Sequence, residues 1–363
     1  MAGVQSGGHP TLEACSCHRH GTVAYLSGML RLRHTLSPIA SIAVGLFAMA
    51  TVWLLRPLPL DDLISKPAPA RSYEEAMERW SEVQEREARQ PLHDGGRSIV
   101  LTHGHETERV FVLLHGLTNA PRQFRELGEK LFATGANVVI PRLAHHGLAD
   151  RMTDAHASLT AQDLIRYAQN GVDLAQGLGK KVTVVGLSVS GISAAWLAQN
   201  RDDIDQVFLL APLFEPAVVP DALTPALTAA LVRLPNQMLW WDPRVRENLP
   251  GPPYNYPRFA TRPLGDALRL GLQTAQPGRS LRVNRLGVIL TENDLAVNNG
   301  RTRRLVEQWS AASPETEIFL HEFPAAENIP HDFIDPLQPD ARTDKVNALL
   351  VEWMTGIRKQ ATD

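Results

Sequence analysis

Three residues of this chain have side chains that could carry out nucleophilic chemistry together, and each follows an apolar segment: Ser188, Asp294 and His331. A serine hydroxyl is a poor nucleophile until an imidazole takes its proton, and the imidazole needs a carboxylate that fixes its tautomer and stabilises its charged form. The three residues occur in the chain order Ser, Asp, His. The pattern therefore predicts acyl transfer with Ser188 as nucleophile, His331 as base and Asp294 as acid.

Two other residues compete for the roles of acid and base. Glu292 lies two residues before Asp294 and could be the acid, although it falls within the expected strand end. His321 could be the base, but it directly follows the strand predicted over 316–320 and does not lie in the loop beyond it. We therefore favour Asp294 and His331.

The residues around Ser188 predict a sharp turn between a strand and a helix. The β-branched run 182–185 ends at Gly186, and small residues follow at Ser190 and Gly191. Such a turn lifts the serine hydroxyl above the sheet, as in the G-x-S-x-G nucleophile elbow. Ser190 replaces the last glycine of that motif, which is a mild departure because the position requires a small side chain. A strand end followed by a serine-capped helix is the alternative interpretation.

A second apolar run, 110–114, ends in His115 and Gly116 and predicts a buried parallel strand followed by a loop. Acyl transfer needs two donors aimed at the oxygen that becomes negative in the tetrahedral intermediate. We expect these donors to be the backbone N–H groups of Leu117 and Val189. His115 is expected to brace the loop. Alone, this segment could equally be an ordinary turn between strand and helix.

Strand and helix signals alternate from residue 97 onward, which predicts an α/β fold with a mostly parallel central sheet flanked by helices. The runs 98–102 and 109–114 enclose a short polar segment and predict a hairpin. A helix over 160–178 is expected to begin with a capping box.

Residues 213–283 interrupt this alternation and are too many for a simple connection between a strand and a helix. They are rich in proline and aromatic residues, which predicts a cap or lid over the site. Trp240 and Trp241 are candidates for the substrate pocket. The alternative is that these aromatic side chains only pack the cap on the body.

Residues 35–55 carry no charge, and as a helix they would extend about 30 Å, enough to cross the hydrocarbon core of a bilayer. We expect a single-pass membrane anchor with the α/β domain on the extracytoplasmic side. A signal peptide cleaved at the Ala-Met-Ala sequence 48–50, with export of the protein, is the alternative. A buried core helix is a third interpretation.

The other parts of the first 96 residues predict less ordered structure. Residues 1–34 are expected to be disordered, with Met29 as the hypothesised true start. Cys15 and Cys17 lie near two histidines, but this spacing is too tight for a zinc finger. Residues 56–96 predict a proline-rich tether and an amphipathic helix that docks on the body.

The net charge and the motifs of the sequence give no indication of a nucleic-acid partner, a bound nucleotide or a metal. The formal net charge of −3 at pH 7 gives no reason to expect a nucleic-acid partner. The sequence contains no phosphate-binding loop of the Gly-Lys-Ser/Thr type and no dense cluster of carboxylates or histidines for a catalytic metal. We therefore predict no cofactor and no metal, and the oligomeric state stays open.

The elbow at 186–190, the His115-Gly116 loop, Asp294 and His331 together resemble the α/β-hydrolase superfamily. The likeness covers about residues 97–358, and bacterial carboxylesterase and lipase-like members are the most similar. It implies an α/β-hydrolase fold whose cap occupies about 213–283.

The resemblance also implies an activity. It favours a carboxylesterase-like serine hydrolase that cleaves a small-molecule or lipid-like ester through an acyl-enzyme. An acyltransferase or a thioesterase with the same triad is one alternative. A non-catalytic, membrane-tethered binding scaffold is an alternative from another functional class.

Overall fold

The computed structural model describes residues 38–60, 63–64 and 66–357. The chain forms two compact units, Met1–Thr51 and Val52–Asp363. The predictions made for residues 1–34, including the Met29 start and the cysteine pair, lie outside the described residues.

Regular structure covers most of the described chain. The helices are α1 (Pro38–Leu55), α2 (Tyr73–Ala88), α3 (Arg125–Phe132), α4 (Ala161–Ala175), α5 (Val189–Asn200), α6 (Thr224–Arg233), α7 (Thr261–Thr274), α8 (Asn299–Ala312) and α9 (Thr343–Thr355). The strands are β1 (Ile99–Leu101), β2 (Thr107–Leu114), β3 (Asn137–Ile140), β4 (Gly179–Leu187), β5 (Gln206–Leu210), β6 (Met238–Trp240), β7 (Arg258–Ala260), β8 (Arg285–Thr291) and β9 (Glu317–Phe323).

None of the helices within the described residues combines the length and the apolar character needed to cross a membrane. The transmembrane helix predicted at 35–55 is therefore not supported.

A seven-stranded sheet forms the centre of the second unit. Its strand order is β1-β3-β2-β4-β5-β8-β9, and every neighbouring pair is parallel except β1 with β3. This confirms the predicted mostly parallel sheet.

Strand β2 shows how the sheet divides the core into two layers. Val110, Val112 and Leu114 belong to the layer that α4, α5, α7 and α8 complete, whereas Phe111 and Leu113 belong to the layer of α3 and α9. All five side chains are fully buried. A strand covered by helices on both faces needs apolar residues on both faces, which explains the uninterrupted apolar run.

The predicted hairpin of β1 and β2 is wrong, because β1 pairs with β3. Asn137, the first residue of β3, explains the difference. Its side chain accepts a hydrogen bond from the His103 N–H at 2.9 Å and donates to the His105 carbonyl at 2.8 Å. The segment between β1 and β2 is thus held across the start of β3, which lies between the two strands.

The segment predicted over 56–96 as tether and amphipathic helix packs on the body of the second unit. The Ser72 side chain caps α2, and Ala76 on that helix is fully buried. The Ala70 N–H donates to the carbonyl of Asp173 on α4 at 2.8 Å. Helix α2 thus packs against the core through Ala76, Met77 and Trp80.

The cap predicted over 213–283 is inserted between β5 and β8. It consists of α6, the antiparallel pair of β6 and β7, and α7. Helix α7 packs against α4 and α5, so the cap is continuous with the core of the body.

Candidate active site

Ser188 occupies a strained turn between β4 and α5. Its φ of 57° lies in the left-handed region, which costs a non-glycine residue about 1–3 kcal/mol. Three backbone hydrogen bonds involve Ser188 among the described residues. The Ser188 N–H donates to the Leu210 carbonyl at 2.9 Å, and the Ser188 carbonyl accepts from the N–H groups of Gly191 at 3.0 Å and Leu213 at 3.1 Å. A Cβ at Gly186 would lie 2.2 Å from the Ser190 carbonyl oxygen, so the turn requires glycine there. The predicted elbow is thus formed.

Ser190 joins this elbow to the loop after β2. Its hydroxyl donates to the His115 carbonyl at 2.5 Å and is fully buried. The residue that departs from the glycine of the motif therefore contributes a specific contact, which small size alone did not indicate.

The two N–H groups expected to stabilise an oxyanion belong to Leu117 and Val189. Within the described part of the chain, neither the Leu117 nor the Val189 backbone N–H has a hydrogen-bond acceptor. Val189 begins α5, where the first backbone N–H groups have no partner inside the helix. Both residues are buried, and a buried unpaired donor is costly unless a ligand satisfies it.

His115 braces the loop that carries Leu117. The Leu143 N–H donates to His115 Nε2 at 3.1 Å, so the proton of a neutral ring resides on Nδ1, which lies 3.0 Å from the Gly116 carbonyl. Burial lowers the pKa of His115 to about 4. The ring is therefore neutral near pH 7 and acts as a structural brace, as the sequence predicted.

Asp294 and His331 are in direct contact. His331 Nδ1 lies 2.7 Å from Asp294 Oδ2. The second oxygen, Oδ1, accepts from the N–H groups of Ala296 at 2.8 Å and Val297 at 3.1 Å. The Asp294 side chain is fully buried, whereas that of His331 is 26% exposed. These backbone donors fix the position of the carboxylate, which in turn orients the imidazole.

Burial opposes a charge on His331, but the carboxylates of Asp294 and Asp332 outweigh it and raise the pKa of His331 above its ordinary value of 6.5. A base with this environment is stabilised once it has taken up a proton. This is the electrostatic requirement for a histidine that must receive the proton of a serine.

The three predicted residues follow three parallel strands of one sheet. Ser188 comes after β4, Asp294 after β8 and His331 after β9, so all three extend from the carboxyl ends of these strands. In the described part of the chain no hydrogen bond joins Ser188 to His331. Catalytic hydrogen bonds are often long without substrate and shorten when it binds.

The two competing residues occupy other surroundings. Glu292 is exposed, and its carboxylate accepts from the Ala325 N–H at 2.8 Å. Strand β9 extends beyond the predicted 316–320, so His321 lies inside it with its ring 4.7 Å from those of Phe323 and Trp353. Glu292 and His321 therefore do not form a carboxylate–imidazole pair of the kind that Asp294 and His331 form.

The two cap tryptophans differ in their contacts. Trp241 Nε1 donates to Thr118 Oγ1 at 3.0 Å, and its ring lies 4.3 Å from that of Phe259. The Arg258 guanidinium lies 5.7 Å from the Trp240 ring. Trp241 thus contacts the oxyanion loop directly, whereas Trp240 packs within the cap. Their role in a substrate pocket stays a prediction.

Sequence reasoning missed a polar group beside His331. Asp332 accepts hydrogen bonds from the side chains of Asn119 and Gln123. Asp335 accepts from the Tyr254 hydroxyl at 2.7 Å, and burial together with the Asp332 charge raises the pKa of Asp335 to about 7. Two acidic residues close behind the candidate base were the only signal that sequence offered.

Among the described residues, no group of three or more histidine, cysteine or acidic side chains could hold a metal ion. The expectation of no metal and no cofactor stays a prediction.

Comparisons with known proteins add a family. The model of the alpha/beta hydrolase family matches residues 111–341. A thermostable monoacylglycerol lipase of Bacillus sp. (strain H-257) is 30% identical over 93 residues, which are 26% of this chain and 36% of that lipase. The match thus spans little more than a third of that relative.

Several solved structures share the fold. The monoacylglycerol lipase of Paleococcus ferrophilus has a TM-score of 0.53 at 18% identity, with 71% of this chain and 97% of that chain covered. A soluble variant of monoglyceride lipase from Saccharomyces cerevisiae has a TM-score of 0.53 at 13% identity, with 72% and 92% covered. A metagenome-derived lipolytic enzyme has a TM-score of 0.55 at 16% identity, with 73% and 100% covered.

At these identities the structural likeness concerns the fold alone. The family match is broader, because it covers well over half of the chain and includes the elbow, the cap and both loops that carry Asp294 and His331. The chain belongs to the alpha/beta hydrolase family.

Proposed function

We propose that this protein is a serine hydrolase that cleaves a carboxylic ester through an acyl-enzyme on Ser188. The observation that carries the proposal is the hydrogen bond of 2.7 Å between His331 Nδ1 and the buried Asp294 carboxylate. It leaves Nε2 of the imidazole to act as the base. The strained turn at Ser188 and the unpaired N–H groups of Leu117 and Val189 support the same chemistry.

The first half of the reaction forms the acyl-enzyme. Ser188 Oγ attacks the ester carbonyl carbon while His331 Nε2 takes the hydroxyl proton. The carbonyl oxygen becomes negative and accepts hydrogen bonds from the Leu117 and Val189 N–H groups. The intermediate then collapses, the bond to the alcohol breaks, and His331 returns the proton to the leaving oxygen.

The second half releases the acid. His331 removes a proton from a water molecule, whose oxygen attacks the acyl carbon. The same two N–H groups stabilise the second oxyanion. When the bond to Ser188 Oγ breaks, the serine recovers its proton from His331 and the free carboxylic acid leaves.

We propose a monoacylglycerol as the first natural ester to test. The Bacillus relative and two structural neighbours are described as monoacylglycerol or monoglyceride lipases, which motivates the choice. The cap contributes an apolar ring beside the oxyanion loop, because Trp241 contacts Thr118 while 42% of the residue stays exposed. A ring in this position suits an acyl chain.

Labelling with a fluorophosphonate probe tests the nucleophile. We expect the wild type to be labelled and Ser188→Ala to be unlabelled, because the probe reacts with an activated serine hydroxyl. Ser193→Ala is the matched control, since this serine lies on the same helix and its buried hydroxyl has no hydrogen-bond partner among the residues that the structure describes. A folded wild type without label, or a labelled Ser188→Ala variant, contradicts the proposal.

Hydrolysis of a panel of esters tests the substrate class. The panel pairs monoacylglycerols with p-nitrophenyl esters of increasing acyl length and includes a thioester of equal chain length. We expect monoacylglycerols to be cleaved with a higher kcat/KM than the thioester. Hydrolysis of the thioester alone contradicts the ester proposal.

A further inference from the structure

The carboxylate of Asp332 connects the segment of the proposed base to the oxyanion loop. Its Oδ2 accepts from Gln123 Nε2 at 2.8 Å and from Asn119 Nδ2 at 3.2 Å. The two donors are 2% and 4% exposed, respectively. Asp332 is the next residue after His331, so any movement of one carries the other.

Gln123 continues this connection to the oxyanion loop. Its Oε1 accepts from the Gly116 N–H at 2.9 Å, and Gly116 precedes Leu117. An amide has one accepting oxygen and one donating nitrogen, so Gln123 can satisfy both the Gly116 N–H and the Asp332 carboxylate only in this orientation. A chain of two hydrogen bonds thus runs from the peptide before the oxyanion donor to the residue beside the base.

We propose that Asp332 is a positioning residue, which keeps His331 aligned with the oxyanion loop and adds a negative charge beside its imidazole. The inference rests on the function proposed above, because alignment matters only if both groups act on one substrate. A misplacement of about 1 Å can slow a reaction about 100-fold, so a short and buried connection between the two loops has a catalytic consequence.

The charge of Asp332 acts on His331 together with that of Asp294, while burial acts in the opposite direction. Removing this charge without changing the shape of the residue should therefore lower the pKa of His331. The titratable groups that interact with the His331–Asp332 pair from the surrounding elements are Asp294, Asp335 and Tyr254, and the charge of Arg122 acts on the last two of these.

Three variants separate position from charge. Asp332→Asn keeps an oxygen that can accept from Gln123 and Asn119 but removes the charge. Asp332→Ala removes both the acceptor and the charge. Gln123→Met removes the amide at nearly constant volume and leaves the charge in place.

The rate of fluorophosphonate labelling is measured against pH for each variant, and the His331 imidazole is titrated by NMR. At pH 8 we expect Asp332→Ala and Gln123→Met to be labelled about 10- to 100-fold more slowly than the wild type. Asp332→Asn should react at close to the wild-type rate. In this variant the pKa of His331 should fall, and the acidic side of the profile of labelling rate against pH should shift to lower pH. The double variant Asp332→Ala/Gln123→Met should be no slower than the slower single variant, because both changes break one connection.

Glu126→Gln is the matched control, since the Glu126 carboxylate also accepts from an amide side chain, that of Asn347, but belongs to α3. We expect it to leave the labelling rate and the His331 titration unchanged. If Asp332→Ala does not fold, Asp332→Asn and Gln123→Met carry the test.

Two results overturn the inference. One is wild-type labelling rates in the folded Asp332→Ala and Gln123→Met variants. The other is an unchanged His331 titration in Asp332→Asn. A wild type that is not labelled instead contradicts the proposed function, and the NMR titration then still decides whether Asp332 acts on His331.

Discussion

Histidines occur in two contrasting environments in this protein. His331 touches the Asp294 carboxylate, lies beside Asp332 and has a raised pKa. His115, His146 and His156 are fully buried, and burial lowers the pKa of each. The pKa of the imidazole is therefore raised in one region of the protein and lowered in the other.

The three buried rings form a histidine cluster, His115–His146–His156, behind the oxyanion loop. Successive ring centroids are 5.8 Å and 6.1 Å apart, and the Tyr256 ring lies 5.1 Å from that of His156. Nε2 of His146 and both ring nitrogens of His156 have no hydrogen-bond partner within the described residues. Packing thus holds the His156 ring, whereas His115 and Nδ1 of His146 also have hydrogen-bond contacts with backbone groups.

The contrast shows that the carboxylates decide the role of the ring. Burial disfavours the charged imidazole in both regions, but only at His331 do two carboxylates overcome it. Whether the pKa of a histidine in this protein is raised or lowered therefore depends on residues far away in the chain. The following four predictions test this difference, beginning with the largest effect.

Loss of the proposed base should have the largest effect. His331→Gln should reduce kcat/KM for an ester about 10⁴-fold, because in the proposed mechanism this imidazole takes the serine proton. The free energy of unfolding should change little at pH 8. Steady-state kinetics and urea unfolding measure the two quantities, and His105→Gln at an exposed position is the control. Activity that survives in His331→Gln would assign the base to another residue.

Removal of the adjacent carboxylate should make His331 resemble the histidine cluster. Asp294→Asn should reduce kcat/KM about 10³- to 10⁴-fold, since the tautomer and the charge of the imidazole both lose their support. The pKa of His331, followed by NMR, should fall, because burial lowers it and the Asp294 charge that raises it is absent. An unchanged imidazole pKa would mean that Asp294 does not set the charge of the base.

The histidine cluster should make the protein sensitive to acid. The pKa of His156 is about 4 in the folded state against about 6.5 when unfolded, so the unfolded chain binds the proton first as the pH falls. Stability is therefore lost between about pH 6.5 and pH 4. His156→Phe should gain about 2 kcal/mol relative to the wild type between pH 7.5 and pH 5.

Urea unfolding at several pH values measures this gain, and His105→Phe is the control of identical chemistry at an exposed site. If the unfolding free energies of the wild type and His156→Phe depend on pH in the same way, folding does not lower the pKa of His156.

The smallest expected effect is the contribution of His331 to stability, whose dependence on pH is opposite to that of His156. Because folding raises the pKa of His331, its contribution to stability is fully present below the unfolded value of about 6.5 and is lost as the pH rises through the folded pKa. The wild type should therefore exceed His331→Gln in unfolding free energy more at pH 5.5 than at pH 9. A difference that grows with pH would reverse the assigned direction.

Runs of apolar residues in the sequence were sufficient to predict where most strands of the central sheet lie. The apolar run predicted over 110–114 lies in the second part of β2, because the part of a strand that is buried on both faces is apolar on both faces. The partner of β1 could not be predicted in this way, since two runs joined by a few polar residues usually pair with each other. Only the insertion of β3, held by the Asn137 side chain, decides it.

The chemistry-bearing residues were visible in the sequence, but their support was not. Ser188 was recognisable because only a few residue types tolerate the elbow. The bond between Asp332 and Gln123 joins residues 209 positions apart, and no local pattern indicates it. The same holds for the bond of Asp335 with Tyr254 from the cap.

The sequence by itself determined which reactive side chains follow the strands and in what order, because both depend on residue type and spacing. The tertiary structure decided for which histidines the pKa is raised or lowered and which backbone donors stay unpaired among the described residues. Ionisation depends on burial and on charges within a few ångströms. Those neighbours come from remote segments of the chain, so they exist only once the sheet, the cap and the loops have assembled.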